Sequence, residues 1–288
     1  MDDLKKLVAE DDLRIKLHDR IASNLKKLFE EFESEAFSKE VNYTPGEFKS
    51  RIQKCEELVK ELCLIHALIG FWGTEKHLQL HIFTLENIAY QLKDVRGNRV
   101  WTAVKWHAVQ LIFFYAGLAI TARNDSELLF QLFNTKIISP ATSEAKTTIP
   151  EALLYVNSEL DSVYDNLIEQ AKHKVPQRQH IFNQVQKNMT DIIFLGNRFE
   201  DTFYRFEIIF ALEYINRRFD EIGERVWGPV GLFGFEYYGY NPFDEFIEEA
   251  QQKEENWELL KAGFFDGDYN RFQKICTSFQ ENLHRLRF

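Results

Sequence analysis

Ala108 to Ala122 is the stretch that most constrains this chain. It runs for 15 residues, is interrupted in polarity only by Gln110 and Thr121, and contains one glycine, Gly117. A helix that is apolar nearly all round must be covered on most sides. A membrane-spanning helix needs about 20 such residues, so the spacing predicts a buried central helix, Val100 to Arg123, with other helices packed around it.

The remaining sequence supplies those helices. Leu17, Ile21, Leu25, Leu28 and Phe32 recur at steps of three and four, predicting one long helix from Asp2 to about Ser38. Thr44-Pro45-Gly46-Glu47 is a helix start: Thr44 caps, Pro45 takes the first position and Glu47 completes a capping box. Phe48, Ile52, Cys55, Val59, Leu62 and Ile69 then form a stripe that stops near Gly70 to Gly73. Thr74 starts a third helix with Leu78, Ile82, Leu85, Ala89 and Leu92 inward. Arg96-Gly97-Asn98 is a turn, and Asp125 or Ser126 opens a short helix to Phe133. Ile137 to Pro150 has little periodicity and reads as a linker or loop. It divides the chain into an N-terminal helical part, 1–136, and a C-terminal one, 151–288, which could also form one continuous domain. In the second part Ser158 is read as a cap, Val175-Pro176 as a break, and Phe199, Phe203, Phe206, Phe210 and Tyr214 as the stripe of a helix over Asn197 to Glu221. Residues 228 to 239 hold five Gly or Pro, which forbid a regular helix there; a loop or short hairpin fits. Asn241-Pro242 and Asp266-Gly267-Asp268 begin the last helices. The expected fold is all-α, a multi-helix bundle with one aromatic- and glycine-rich non-helical insertion.

Charge and cysteine content narrow the function classes. The formal net charge is −10, against a surface that tracks a phosphate backbone throughout. Lys172 to Thr190 nevertheless holds four cations, Lys172, Lys174, Arg178 and Lys187, and no acids, while Glu236 to Glu258 holds eight acids and one lysine. Cys55, Cys63 and Cys276 are few and odd in number, which fits a reducing compartment, and each reads as a small core residue. Met1-Asp2-Asp3 leads into amphipathic sequence rather than a signal peptide. The expectation is a cytoplasmic chain with no membrane segment.

Candidate chemistry is sparse. His77 and His81 are spaced to share a metal, but Leu78, Gln79 and Leu80 between them supply no general base, and the expectation is structural histidines with no metal and no cofactor. Glu200, Asp201 and Glu207, interleaved with Arg198 and Arg205, could bind a divalent metal for an enzyme; ion pairing within the helix explains the same pattern. Glu207 and Glu213 stand out because both neighbour large apolar residues, and a buried carboxylate needs a partner. The glycines at 228, 231, 234 and 239 lack the strand and helix start of a phosphate loop. Trp227, Phe233, Phe235, Tyr237, Tyr238 and Tyr240 instead form an aromatic set suited to a protein contact. No nucleophile elbow or kinase signature is present.

Four segments carry a resemblance. Trp101 to Arg123 with Tyr115-Ala116-Gly117-Leu118-Ala119, the run Arg198-Phe199-Glu200-Asp201-Thr202-Phe203-Tyr204-Arg205-Phe206-Glu207, Trp227-Gly228-Pro229-Val230-Gly231-Leu232-Phe233-Gly234, and Leu259-Leu260-Lys261-Ala262-Gly263-Phe264-Phe265 follow one another with suitable spacing over about Lys54 to Phe279. In that order they resemble the C-terminal helical module of bacterial defence-associated multidomain proteins, where it follows a sirtuin-like or STAND-type NTPase domain. No such effector or NTPase domain lies in this sequence. The resemblance implies a stand-alone or excised module for regulation, sensing or assembly, with a protein partner or self-association, and carries over no catalytic residue. The expected function is a non-enzymatic protein-interaction, sensor or regulatory module of antiviral defence. A metal-dependent enzyme built on the 197–221 helix and a nucleic-acid adaptor using the 172–190 stretch are the alternatives.

Overall fold

The protein's structure, a computed structural model, describes residues 2–93, 97–141, 145–164, 175–190, 192–223, 227–235 and 241–287. It is 82% helical. In chain order the helices are α1 (Asp2–Ala9), α2 (Arg14–Phe32), α3 (Pro45–Trp72), α4 (Leu78–Gln91), α5 (Arg99–Arg123), α6 (Ser126–Asn134), α7 (Ile149–Tyr164), α8 (Pro176–Met189), α9 (Arg198–Ile222), α10 (Pro242–Lys253), α11 (Glu258–Ala262) and α12 (Tyr269–Arg287).

The expected central helix is present as α5. Every residue from Trp101 to Thr121 except Lys105 is buried. By length and composition α5 could cross a membrane, yet 94% of its most apolar window is covered by the rest of the fold. α3 lies along it more extensively than any other pair of elements, and α4, α6, α7, α8 and α9 complete the shell. Small residues permit the close α3–α5 approach: a Cβ on Gly70 would stand 2.9 Å from the Ala116 carbonyl oxygen and 3.0 Å from Ala119 Cβ. On the opposite flank of α5, Phe113 and Phe114 meet Phe133 and the α9 stripe. Phe206 is fully buried, its ring centroid 5.5 Å from Phe113, 5.2 Å from Phe114 and 5.8 Å from Phe133. The buried side chains form one cluster running from Val8 to Leu283 through both halves of the chain.

Three expectations need correction. The first helix is not continuous to Ser38: α1 ends at Ala9, a 3-10 turn spans Asp11–Leu13, and α2 ends at Phe32. Glu10-Asp11-Asp12 is the reason, since adjacent acids repel and Asp favours a helix start over its interior. The 137–150 segment is not a bare linker. Lys136–Ile138 (β1) and Lys146–Thr148 (β2) pair antiparallel, Lys136 opposite Thr148 and Ile137 opposite Thr147. Ile137 is fully buried, β1 packs on α4 and α7, and α7 begins at Ile149. Ser158 is no cap; it lies inside α7 and donates to the Tyr155 carbonyl at 2.9 Å.

Candidate functional site

The second half is organised by α9, which carries two carboxylates inward among its phenylalanines. Glu207 and Glu213 are each 2% exposed. Each receives a turn from the chain that follows. The Leu232 N–H donates to Glu207 Oε2 at 2.8 Å, and the Phe233 N–H also faces this carboxylate. The turn Leu232–Phe235 is a 3-10 helix, so the insertion expected as a loop or hairpin is helical over these four residues. Gly231 is required for the approach, because a Cβ there would lie 2.3 Å from the Glu207 carboxyl carbon. Glu213 Oε2 accepts the Phe265 N–H at 3.3 Å, holding the Phe264–Gly267 turn, where Phe265 and Asp266 both adopt left-handed φ of 56° and 58°. Burial raises both glutamates to about 7, although Arg178 and the backbone N–H groups favour the charged form of Glu207, and Arg217 that of Glu213.

The described members of the aromatic set differ in burial. Phe233 is fully buried, between Phe243 at 6.2 Å and Phe279 at 6.1 Å, so its ring is core and not contact surface. Phe235 is half-buried. Trp227 is 48% exposed, and Ile222 at the end of α9 is 45% exposed. Gly228 fits against α9, where a Cβ would meet Ile215 Cδ1 at 2.6 Å. Tyr237, Tyr238 and Tyr240 lie outside the described residues. Beyond them α10 turns Asp244, Glu245 and Glu248 to solvent, while Glu249 faces Arg205, Lys253 at 3.0 Å and the Trp257 indole N–H at 3.1 Å. These partners outweigh burial and bring Glu249 down to about 2.

The two described cations of the basic stretch part ways. Lys172 and Lys174 lie outside the described residues. Lys187 is exposed, but Arg178 is 4% exposed, with its guanidinium 4.9 Å from the Phe114 ring centroid and 5.2 Å from that of Phe210. Its charge points inward to Glu207 because α8 packs against α5 on that face. The acids proposed for a metal do not converge either. Glu200 and Asp201 are on the solvent face, Glu200 accepting from the Tyr204 hydroxyl at 2.7 Å, whereas Glu207 is interior. Among the described residues no group of three or more His, Cys, Asp or Glu side chains is placed to hold a metal ion.

The histidines are more buried than their spacing implied. His77, in the 3-10 turn Glu75–His77, and His81, on α4, both face inward; Leu85, Ala89 and Leu92 are buried as expected, while Leu78 and Ile82 are only half-buried. His77 Nδ1 accepts the Thr74 N–H at 3.1 Å and so fills the capping-box position usually held by a glutamate. His81 Nδ1 lies 2.8 Å from His66 Nδ1. Burial drives both His66 and His81 down, His81 to about 3, so both rings are neutral and one donates to the other.

Sequence reasoning missed a polar layer between α3, α5, α7 and α8. Glu56 is held by His180, by Gln184 Nε2 at 3.1 Å and by His107 at 3.4 Å. Behind them His107 Nδ1 and Gln110 Oε1 are 2.9 Å apart, and Gln110 binds Asn157 at 2.6 Å and Gln177 at 3.0 Å. Burial opposes the Glu56 charge, yet the two imidazoles bring it to about 2. Gln110, a polar residue inside the most apolar stretch, was the available signal for this layer. Comparison with protein-family models, curated proteins and solved structures finds no match to this chain.

Proposed function

We propose that this chain is a non-enzymatic protein-interaction or regulatory module, with the aromatic segment from Trp227 to Tyr240 and the acidic face of α10 as its contact surface. One observation carries the reading: the turn is fastened from within, by Phe233 in the core and Glu207 on its backbone, while Trp227 stays half exposed. A large aromatic presented on a preorganised backbone loses little entropy on binding, and such residues dominate interface energies. The partner is a protein, either a second copy or a larger bacterial defence protein; the resemblance over Lys54 to Phe279 is what suggests the defence setting. Burial of Arg178 weighs against the nucleic-acid adaptor, and the separation of Glu207 from Glu200 and Asp201 weighs against the metal-dependent enzyme.

The test compares the wild type with Trp227→Ser and with Tyr237→Ser/Tyr238→Ser. Self-association is followed by sedimentation, and partner association by co-purification from the native host. Association lost at an unchanged melting temperature is the expected result. Unchanged association, or a large drop in melting temperature, leaves the turn as structural cover and defeats the proposal.

A further inference from the structure

The two carboxylates of α9 hold their turns alike but are paired with their arginines differently. Arg217 Nη2 reaches Glu213 Oε1 at 2.9 Å, a closed ion pair. Arg178 Nε stays 3.8 Å from Glu207 Oε1, beyond hydrogen-bond distance. Glu207 Oε1 and Arg178 Nη1 are both buried and, among the described residues, neither has a hydrogen-bond partner. Two opposite charges this close and this dry gain strongly from direct contact.

Each partner is held from its own side, Glu207 by the turn and Arg178 by aromatic rings and by the charge of Asp161, which also acts on this cation. Arg178 is packed against the Phe114 and Phe210 rings, which limits its movement. Glu207 is drawn the other way by the Leu232 N–H on Oε2, with Gly231 against its carboxyl group. The carboxylate serves the turn at the expense of the arginine.

We infer that the Gly231–Phe235 turn is a two-position strap, held down by Glu207 in one position and released in the other as Glu207 closes on Arg178. Closure completes the buried ion pair and offsets the loss of the backbone hydrogen bonds, so the element has two compensated states, as a switch requires. Release frees Phe233 from between Phe243 and Phe279 and adds its ring to the surface that Trp227 already presents. That use of the strap rests on the interaction reading; the strap itself is a property of the free chain.

Amide exchange in the full-length chain without partner tests it, read at Leu232 and Phe233 relative to Phe265 and the α5 amides. Glu207→Gln removes the charge that closes on Arg178, and Arg178→Lys keeps the cation but loses the planar fork. The strap predicts slower relative exchange at Leu232 and Phe233 in both variants, several-fold, because the released position has lost its compensation. Glu213→Gln, whose pair is already closed, should speed exchange at Phe265. A glutamate that merely caps the turn gives the opposite sign, since Gln is the weaker acceptor. Faster or unchanged relative exchange at Leu232 and Phe233 in Glu207→Gln or Arg178→Lys overturns the inference, and it does so without bearing on whether Trp227 meets a partner.

Discussion

At the scale of single residues, Phe206 and Gly117 form a matched pair. A Cβ on Gly117 would sit 2.1 Å from the Phe206 ring, so the glycine makes the space that the ring fills. Phe206→Ala removes a fully buried ring from a cluster of rings and is expected to cost about 3–5 kcal/mol. Gly117→Ala overpacks the same point and should cost about 1–3 kcal/mol. Urea melts measure both; a loss under about 1 kcal/mol for Phe206→Ala would place the stripe against something other than a packed core. The stripe was legible in the sequence because phenylalanine at helical spacing has few other uses. The glycine was not, since its partner lies 89 positions away and no local pattern reports a distant ring. Glu207 and Glu213 were recognisable as needing partners. Which arginines answered them was not, because Arg178 looks like a surface cation until α8 is packed.

Elements were legible where their ends carry side-chain chemistry. Thr44 accepts the Glu47 N–H at 3.1 Å and Pro45 opens α3, as expected. Glu47 departs from the capping box, its carboxylate taking Arg51 Nε at 2.6 Å. Asp125 caps α6 through the Leu128 N–H at 3.0 Å. Thr44→Ala should therefore cost about 1 kcal/mol. Elements whose form depends on partners were illegible: the β1–β2 ribbon is three residues per strand and is held by α4 and α7 as much as by its own pairing. The Phe264–Gly267 turn is another such case. Two consecutive left-handed non-glycine residues are strained, and Glu213 holds them in place from within α9. Glu213→Ala would leave the Phe265 N–H without its acceptor and the Arg217 charge without its carboxylate, with only Asn134 Oδ1 still accepting from Arg217, and a chemical melt should show a loss of about 3 kcal/mol or more. A change no larger than that of Thr44→Ala would mean the turn does not depend on the carboxylate.

For the whole molecule, the buried histidines and glutamates set opposing pH dependences. His66 and His81 are neutral in the fold, His81 down to about 3, because burial disfavours their charged form. Below the ordinary histidine value of about 6.5 the unfolded chain takes up protons that the folded chain refuses, so their contribution is present above that value and is lost as pH falls toward 3. Glu207 and Glu213, raised to about 7, act the other way: their contribution is present below the ordinary glutamate value and is lost as pH rises through 7. The stability difference between wild type and His66→Leu/His81→Leu should therefore shift against the wild type as pH drops from 6.5 to about 4.5. A difference that stays flat over that window would mean that these rings do not remain neutral in the fold.

The contacts of Glu207 and Phe233 place the Leu232–Phe235 turn on a firm base, and the proposed contact surface is built beside it. Exchange footprinting of the associated chain tests that claim most directly, by comparing amide protection with and without the co-purified partner or across a self-association series. Protection is expected to grow over 227–241 and along the exposed face of α10, with α3 and α5 unchanged. Measured association with no added protection over 227–241 would contradict the account.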